Sequence, residues 1–308
     1  MDFEIPEKKE SSPFLQIVLL LVYAILGALI FTVFCLVILL IIYGLPLFQN
    51  FNSLLTGDPL YLGGLKILQI GSTIGMFLLP PIMLAYTEHR KPKQFFGLYK
   101  PKAMLLFLTL TIMIISMPLM EWAAVWNQKM VLPEFLKGVE HWMKEKEDAA
   151  AKMTVELITV KNPVDFFVNL LMIAILPAIG EELMFRGGLQ RIIKRIFGNP
   201  HVAIWLAAII FSAIHMQFYG FVPRMLLGAG FGYLYFYSGN LWYAILAHFL
   251  NNGFAVCMAY YMQTHGMPLD SADQPIGFGW YFYLLSAIFT IALFIYFKKN
   301  TSSGRKLG

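Results

Sequence analysis

Long apolar runs separated by short polar stretches set the plan of this chain. Eight of them read as candidate membrane spans: residues 14–43, 64–86, 103–127, 164–196, 200–216, 220–237, 240–262 and 277–297. A helix needs about 20 apolar residues to cross the hydrocarbon core, and most of these runs reach that length. The first run is longer and is expected to tilt or protrude. It does not read as a secretory leader, because its apolar core is too long and no small-x-small cleavage site closes it. Pro80-Pro81 interrupts the second run and predicts a kink or break there. The one sizeable polar insert is 128–162, in which six lysines accompany six acids. Leu132, Leu136, Val139 and Met143 recur in it at helical spacing. Two readings are open for it: an amphipathic helix lying on the extracytoplasmic membrane surface, or a solvated connector.

Composition agrees with this pattern. Of 308 residues, 58% are hydrophobic and 13% charged, against roughly 45–50% and about 25% in soluble domains. The expected fold class is all-α: a polytopic membrane protein, one domain over 1–308, with about eight transmembrane helices around an intramembrane cavity. Cys35 and Cys257 both lie in apolar runs and suggest neither a disulfide framework nor a metal knuckle. A net charge of +5 would suggest nucleic acid in a soluble protein. Here the cations flank hydrophobic runs, so they are assigned to membrane orientation and no nucleic-acid partner is expected. Placing the N-terminus in the cytoplasm puts Lys8, Lys9, Arg90, Lys91, Lys93, Lys100, Lys102, Arg191, Lys194, Arg195, Lys298, Lys299, Arg305 and Lys306 inside, while segments 44–63 and 263–276 carry no Lys or Arg. Both termini are therefore expected in the cytoplasm, with an even number of spans.

Ionisable side chains are costly at membrane depth and mark function by default. In the second half of the chain Glu181, Glu182 and Arg186 follow the apolar stretch 166–179, His215 closes "FSAIH", and His248 and Asn252 lie in "LAHFLNN". Arg224, at the start of the sixth run, reads as snorkelling to the surface. Glu182 and Arg186 are four apart, so they share a helix face and can pair. Glu181 is turned by about 100° from Glu182 and is left free for chemistry. His248 and Asn252 also share a face.

Depth tests whether these groups meet. If the fourth helix ran on through Gly187-Gly188 to about Ile196, Glu181 would lie ~22 Å from its inner end. His215 is ~22 Å into its run, Asn252 ~18 Å and His248 ~12 Å. The groups then converge near mid-membrane. A carboxylate withdrawn from water is a better general base. Glu181 could take a proton from water, which His215 could hold. His248 and Asn252 could donate to an oxyanion. That set suits amide hydrolysis without a covalent intermediate. The sequence holds no HExxH zinc motif, no suitably placed GxSG serine and no pair of intramembrane aspartates. Cys257 lies well round the helix from Asn252 and is a poor nucleophile candidate.

The segments "EELMFR" (181–186), "FSAIH" (211–215) and "HFLNN" (248–252) resemble the EExxxR, FxxxH and HxxxN motifs of the CAAX protease and bacteriocin-processing family. That family, also called CPBP or Abi, includes the type II CAAX prenyl endopeptidases. The resemblance covers about 164–256 and marks a catalytic core. It implies an eight-helix intramembrane protease in which Glu181 and His215 activate water, His248 and Asn252 form the oxyanion site, and Glu182 and Arg186 support them. The expected partners are the lipid bilayer and a membrane-associated peptide or protein substrate, prenylated or CAAX-like substrates being one option. The expected setting is a bacterial or archaeal cell membrane. No metal is expected. Zinc on the two glutamates and two histidines is the weaker alternative, beside a transporter, for which no inverted repeat is visible, and a non-catalytic immunity or scaffolding protein. Gly228 and Gly232, four apart, suggest close helix packing.

Overall fold

The computed structural model describes residues 10–56, 58–269 and 275–301. Lys8, Lys9, Arg305 and Lys306, which enter the orientation argument, lie outside them. Among the described residues the longer elements are α1 (Pro13–Tyr43), α2 (Leu62–Thr87), α3 (Ala103–Gln128), α4 (Lys137–Ile158), α5 (Pro163–Phe197), α6 (Pro200–Ala213), α7 (Phe221–Ser238), α8 (Trp242–Thr264) and α9 (Trp280–Asn300). No strand occurs among them. The protein is an all-α, polytopic membrane protein. Each expected run holds one helix, and the polar insert holds α4. Five helices, α1, α2, α3, α5 and α9, are long and apolar enough to cross a membrane, whereas α6 is a shorter apolar helix. In α1 the outward residues Leu21, Ile25, Leu29 and Val33 are exposed and as apolar as its buried ones, as a helix facing lipid should be.

The sequence fixes the helix ends by local chemistry. Asn162 and Asp165 form a capping box at the start of α5, with Pro163 in the first turn. Gly198, at φ 67°, ends that helix, and Asn199 accepts from His201 N and Val202 N to start α6. The prolines do not break their helices. A π-turn at Ile74–Leu78 precedes Pro80-Pro81, and another at Leu170–Ile175 precedes Pro177. The wider turn shifts the hydrogen-bond register and lets the helix run on past a residue that has no N–H to give.

Contacts sort into two ends of the bundle. At one end, Glu10 pairs with Arg90, Arg191 and Arg195. There too, Asn240 Nδ2 donates to Tyr99 O and Lys102 N to the Tyr243 hydroxyl. Thr301 lines a small pocket with Tyr99 and Lys102, so residues 10 and 301 lie at the same end. At the other end, α4 shows a half-buried stripe at Leu136, Glu140, Met143, Glu147, Ala150, Met153 and Leu157. Its Met153 and Leu157 pack on the cluster of Leu39, Leu47, Leu54, Tyr61 and Leu65. The insert is thus a helix laid across the bundle end. The main core, including Leu84, Phe96, Leu183, Tyr235, Ala244 and Phe297, joins α2, α5, α7, α8 and α9.

Candidate active site

Glu181 and Glu182 lie midway along α5, which continues through Gly187-Gly188 to Phe197. From Leu183 to Gln190 that helix takes a π-helical course, an irregularity common at functional sites. Glu182 is fully buried. Its Oε1 accepts from Arg186 Nη1 at 2.6 Å and from His248 Nδ1 at 2.9 Å. Arg186, 1% exposed, also donates from Nη2 to Gly228 O at 2.9 Å. Its guanidinium carbon is 4.6 Å from the Phe211 ring centre and 5.4 Å from that of Phe231. A buried charge persists only when it is paired and hydrogen-bonded; these contacts supply that for Arg186 and Glu182 Oε1, while Glu182 Oε2 is buried with no hydrogen-bond partner among the described residues.

Two glycines make room for this contact. A Cβ on Gly228 would lie 3.1 Å from Arg186 Nη2 and 3.2 Å from Phe211 Cδ1, and one on Gly232 would lie 2.7 Å from Gln190 Oε1. Gln190 Nε2 donates to Gly232 O at 3.3 Å. The expected small-residue contact is therefore where two polar side chains of α5 reach the backbone of α7.

His248 is 4% exposed and stacks on Phe231, the ring centres being 5.4 Å apart. With Nδ1 given to Glu182, its Nε2 is 3.2 Å from Asn252 Nδ2 and 3.9 Å from Glu181 Oε2. Asn252 Nδ2 also donates to Ile173 O at 2.9 Å. Ile173 is four residues before Pro177, so Pro177 has no N–H to offer that carbonyl. The asparagine supplies that carbonyl with a side-chain donor and is itself fixed by it.

Glu181 makes no hydrogen bond among the described residues, and its side chain keeps 13% exposure. The two adjacent glutamates therefore differ as their rotation about the helix predicts. One is locked in a network, and the other faces an imidazole across a gap.

His215 is placed differently from the other groups. Helix α6 stops at Ala213, short of the expected 216, and Met216 turns the chain at φ 54°. The His215 ring donates from Nδ1 to Phe211 O at 2.8 Å, which leaves Nε2 as the acceptor. It forms no hydrogen bond with Glu181, His248 or Asn252 among the described residues. The Phe211 ring joins it to them, lying 5.1 Å from the His215 ring and 6.0 Å from the His248 ring.

Four bonds clamp the turn that carries His215. Ser212 Oγ donates to Phe221 O at 2.7 Å, Asn127 Nδ2 to Phe218 O at 3.0 Å, Val222 N to Asn127 Oδ1 at 2.7 Å, and Tyr219 N to Glu147 Oε2 of α4 at 3.0 Å. Burial raises the Tyr219 phenol, and Glu140, Glu147 and Asp148 raise it further, so the acidic stripe of α4 overhangs this turn. Arg224 is half-buried and donates to Gln217 Oε1. It is thus bonded to the His215 turn, where a surface position was expected.

The structure bonds Glu182, Arg186, His248 and Asn252 into one network, sets the Glu181 carboxylate 3.9 Å from His248 Nε2 and places His215 one aromatic ring away. Sequence reasoning missed the Glu182–His248 bond, the Phe231 stack and the two carbonyl anchors, Gly228 and Ile173. Pro177 and the Gly228/Gly232 pair were the available signals for the anchors. Among the described residues no three His, Cys, Asp or Glu side chains are grouped to hold an ion, and Glu182 is engaged by Arg186. Cys257 is an exposed free thiol.

Residues 163–254 match the family described as type II CAAX prenyl endopeptidase Rce1-like. Over 93 residues, 29% of this chain, it is 28% identical to "Uncharacterized protein YpbD" of Bacillus subtilis (strain 168), and the match spans 44% of that relative's length. No solved structure matches the chain. Over residues 163–254, which contain all three motifs, this protein is similar to the Rce1-like type II CAAX prenyl endopeptidase family.

Proposed function

We propose that this protein is an intramembrane endopeptidase that hydrolyses a peptide bond of a membrane-associated protein or peptide with water activated by Glu181. The observation that carries this reading is the unbonded Glu181 carboxylate 3.9 Å from His248 Nε2, a gap that one water can bridge. Glu181 takes a proton from that water, and the resulting hydroxide adds to the scissile carbonyl carbon. Glu182 is the positioning residue: by holding His248 Nδ1 it aims Nε2 at the site. Substrate binds to the form of the enzyme in which His248 carries a proton on each ring nitrogen; Nε2–H donates to the oxyanion and is kept on the ring throughout the cycle. That proton also releases the Asn252 hydrogen otherwise given to Nε2, so a second donor turns to the same oxygen. As the tetrahedral species collapses, the C–N bond breaks and Glu181 passes its proton to the leaving amine. His215, anchored through Phe211, lines the approach of water. No metal takes part, and cleavage accordingly persists in chelator.

The protein sits in a cell membrane with both termini in the cytoplasm, and its substrate reaches the site from the bilayer. The test compares membrane proteomes of wild-type and Glu181→Gln cells. New peptide termini present only in the wild type, and regained when Glu181 is restored, are the expected result. Identical termini in the two strains, with both proteins folded and equally abundant, would sink the proposal.

A further inference from the structure

A groove of about 440 Å³ lies away from Glu181, between α3, α7 and α9. Ile291 and Ile295 of α9 line it and are 61% and 50% exposed on the outer surface, so it opens sideways toward the bilayer. Its lining is apolar apart from a few groups. One is the Thr290 hydroxyl, which is 8% exposed and has no hydrogen-bond partner. Another is Lys298, whose ammonium lies 5.3 Å from the Tyr237 ring centre at the end of the bundle shared by residues 10 and 301. Side chains on a helix lean toward its N-terminus, so the Lys298 stem runs back along α9 toward Thr290. A cation at the rim, a lone hydroxyl donor deeper in and an apolar slot beyond follow the order of phosphate, ester carbonyl and acyl chain in a glycerophospholipid.

We propose that this groove is a binding site for one anionic glycerophospholipid, with its phosphate at Lys298 and an acyl chain against α7. The occupant is a resident lipid and not a substrate tail, because Glu181, His248 and Asn252 are not among the residues that line the groove. Phe231 lines it, and the same ring stacks on His248. The lipid would buttress the ring that supports His248.

The test uses the full chain, delipidated in mild detergent and reconstituted in nanodiscs of phosphatidylglycerol or phosphatidylcholine. Retained lipid is counted by native mass spectrometry, so the outcome is independent of whether any peptide bond is cut. The expected result is one retained lipid per chain, with phosphatidylglycerol preferred about fivefold, as one lysine near an anionic head group provides. Lys298→Gln should erase the preference. Thr290→Val should weaken retention of both lipids alike. Gly230→Leu should abolish retention, since a Cβ there meets only Phe294 at 3.6 Å and a larger side chain extends into the slot. Lys298 is exposed and its variant should fold, so it carries the test if Gly230→Leu does not. Equal retention of the two lipids by the wild type would overturn the proposal. So would displacement by a neutral isoprenoid alcohol with unchanged affinity in Lys298→Gln.

Discussion

Replacing Glu182 by glutamine keeps its size and one carbonyl oxygen but removes the charge that Arg186 and His248 share. Arg186 is 1% exposed, so its guanidinium is left buried without a counter-ion. Removing one partner of a buried pair costs about 3–5 kcal/mol. The Gly228 carbonyl at 2.9 Å and the two flanking rings remain, which places the expected loss near the lower end, about 3 kcal/mol. Glu181→Gln disturbs no hydrogen bond and should change stability by no more than about 0.5 kcal/mol, while lowering cleavage by at least about 10²-fold. Combining Glu182→Gln with Arg186→Met removes both charges. A buried pair replaced as a unit is often close to neutral, so the double variant should cost no more than Glu182→Gln alone, with a coupling energy of about 3 kcal/mol. Equilibrium unfolding in mixed micelles at fixed detergent measures all five proteins: wild type, Glu181→Gln, Glu182→Gln, Arg186→Met and the double variant. Equal losses for Glu181→Gln and Glu182→Gln, or strictly additive single variants, would refute the division of roles between the two glutamates.

Three further outcomes are expected. Asn252→Leu leaves the Ile173 carbonyl without its partner, at a cost of about 1–3 kcal/mol; a variant as stable as wild type in the same titration would show that the anchor is idle. Gly228→Ala pushes a methyl group against Arg186 and Phe211 and should cost about 1–3 kcal/mol, whereas Gly138→Ala, with nothing within 4 Å, serves as the neutral control. Beyond the last turn of α2, burial pushes the Glu88 carboxyl up, but the Ser11 N–H at 2.8 Å and nearby Arg195 more than offset this and hold it below its ordinary 4.5. A depressed folded-state value stabilises the fold above 4.5 and is lost as the pH falls through the folded value. Wild type should therefore lose stability by this route as the pH falls below 4.5, and Glu88→Gln should show a shallower acid limb in unfolding midpoints.

The helices were legible because their signals are local. Apolar runs, capping asparagines and Gly198 need no partner elsewhere in the chain to act, so the boundaries fall within a few residues of those read from the pattern. The pairing of Glu182 with Arg186 was equally readable, since four residues fix a shared face whatever surrounds the helix. Relations between helices were not readable. That Glu182 reaches across to His248, that Phe231 stacks behind it, and that Asn252 answers the Ile173 carbonyl depend on how α5, α7 and α8 are turned about their own axes. Nothing along one helix specifies that rotation. Packing specifies it, through the clearance at Gly228 and Gly232 and the need of each buried polar group for a partner. His215 shows the same limit, because a helix that ends at Ala213 and a turn clamped by Asn127 and Glu147 place it beside Phe211. The sequence by itself determined which ionisable residues sit within apolar helices, and only the tertiary structure decided which of them touch.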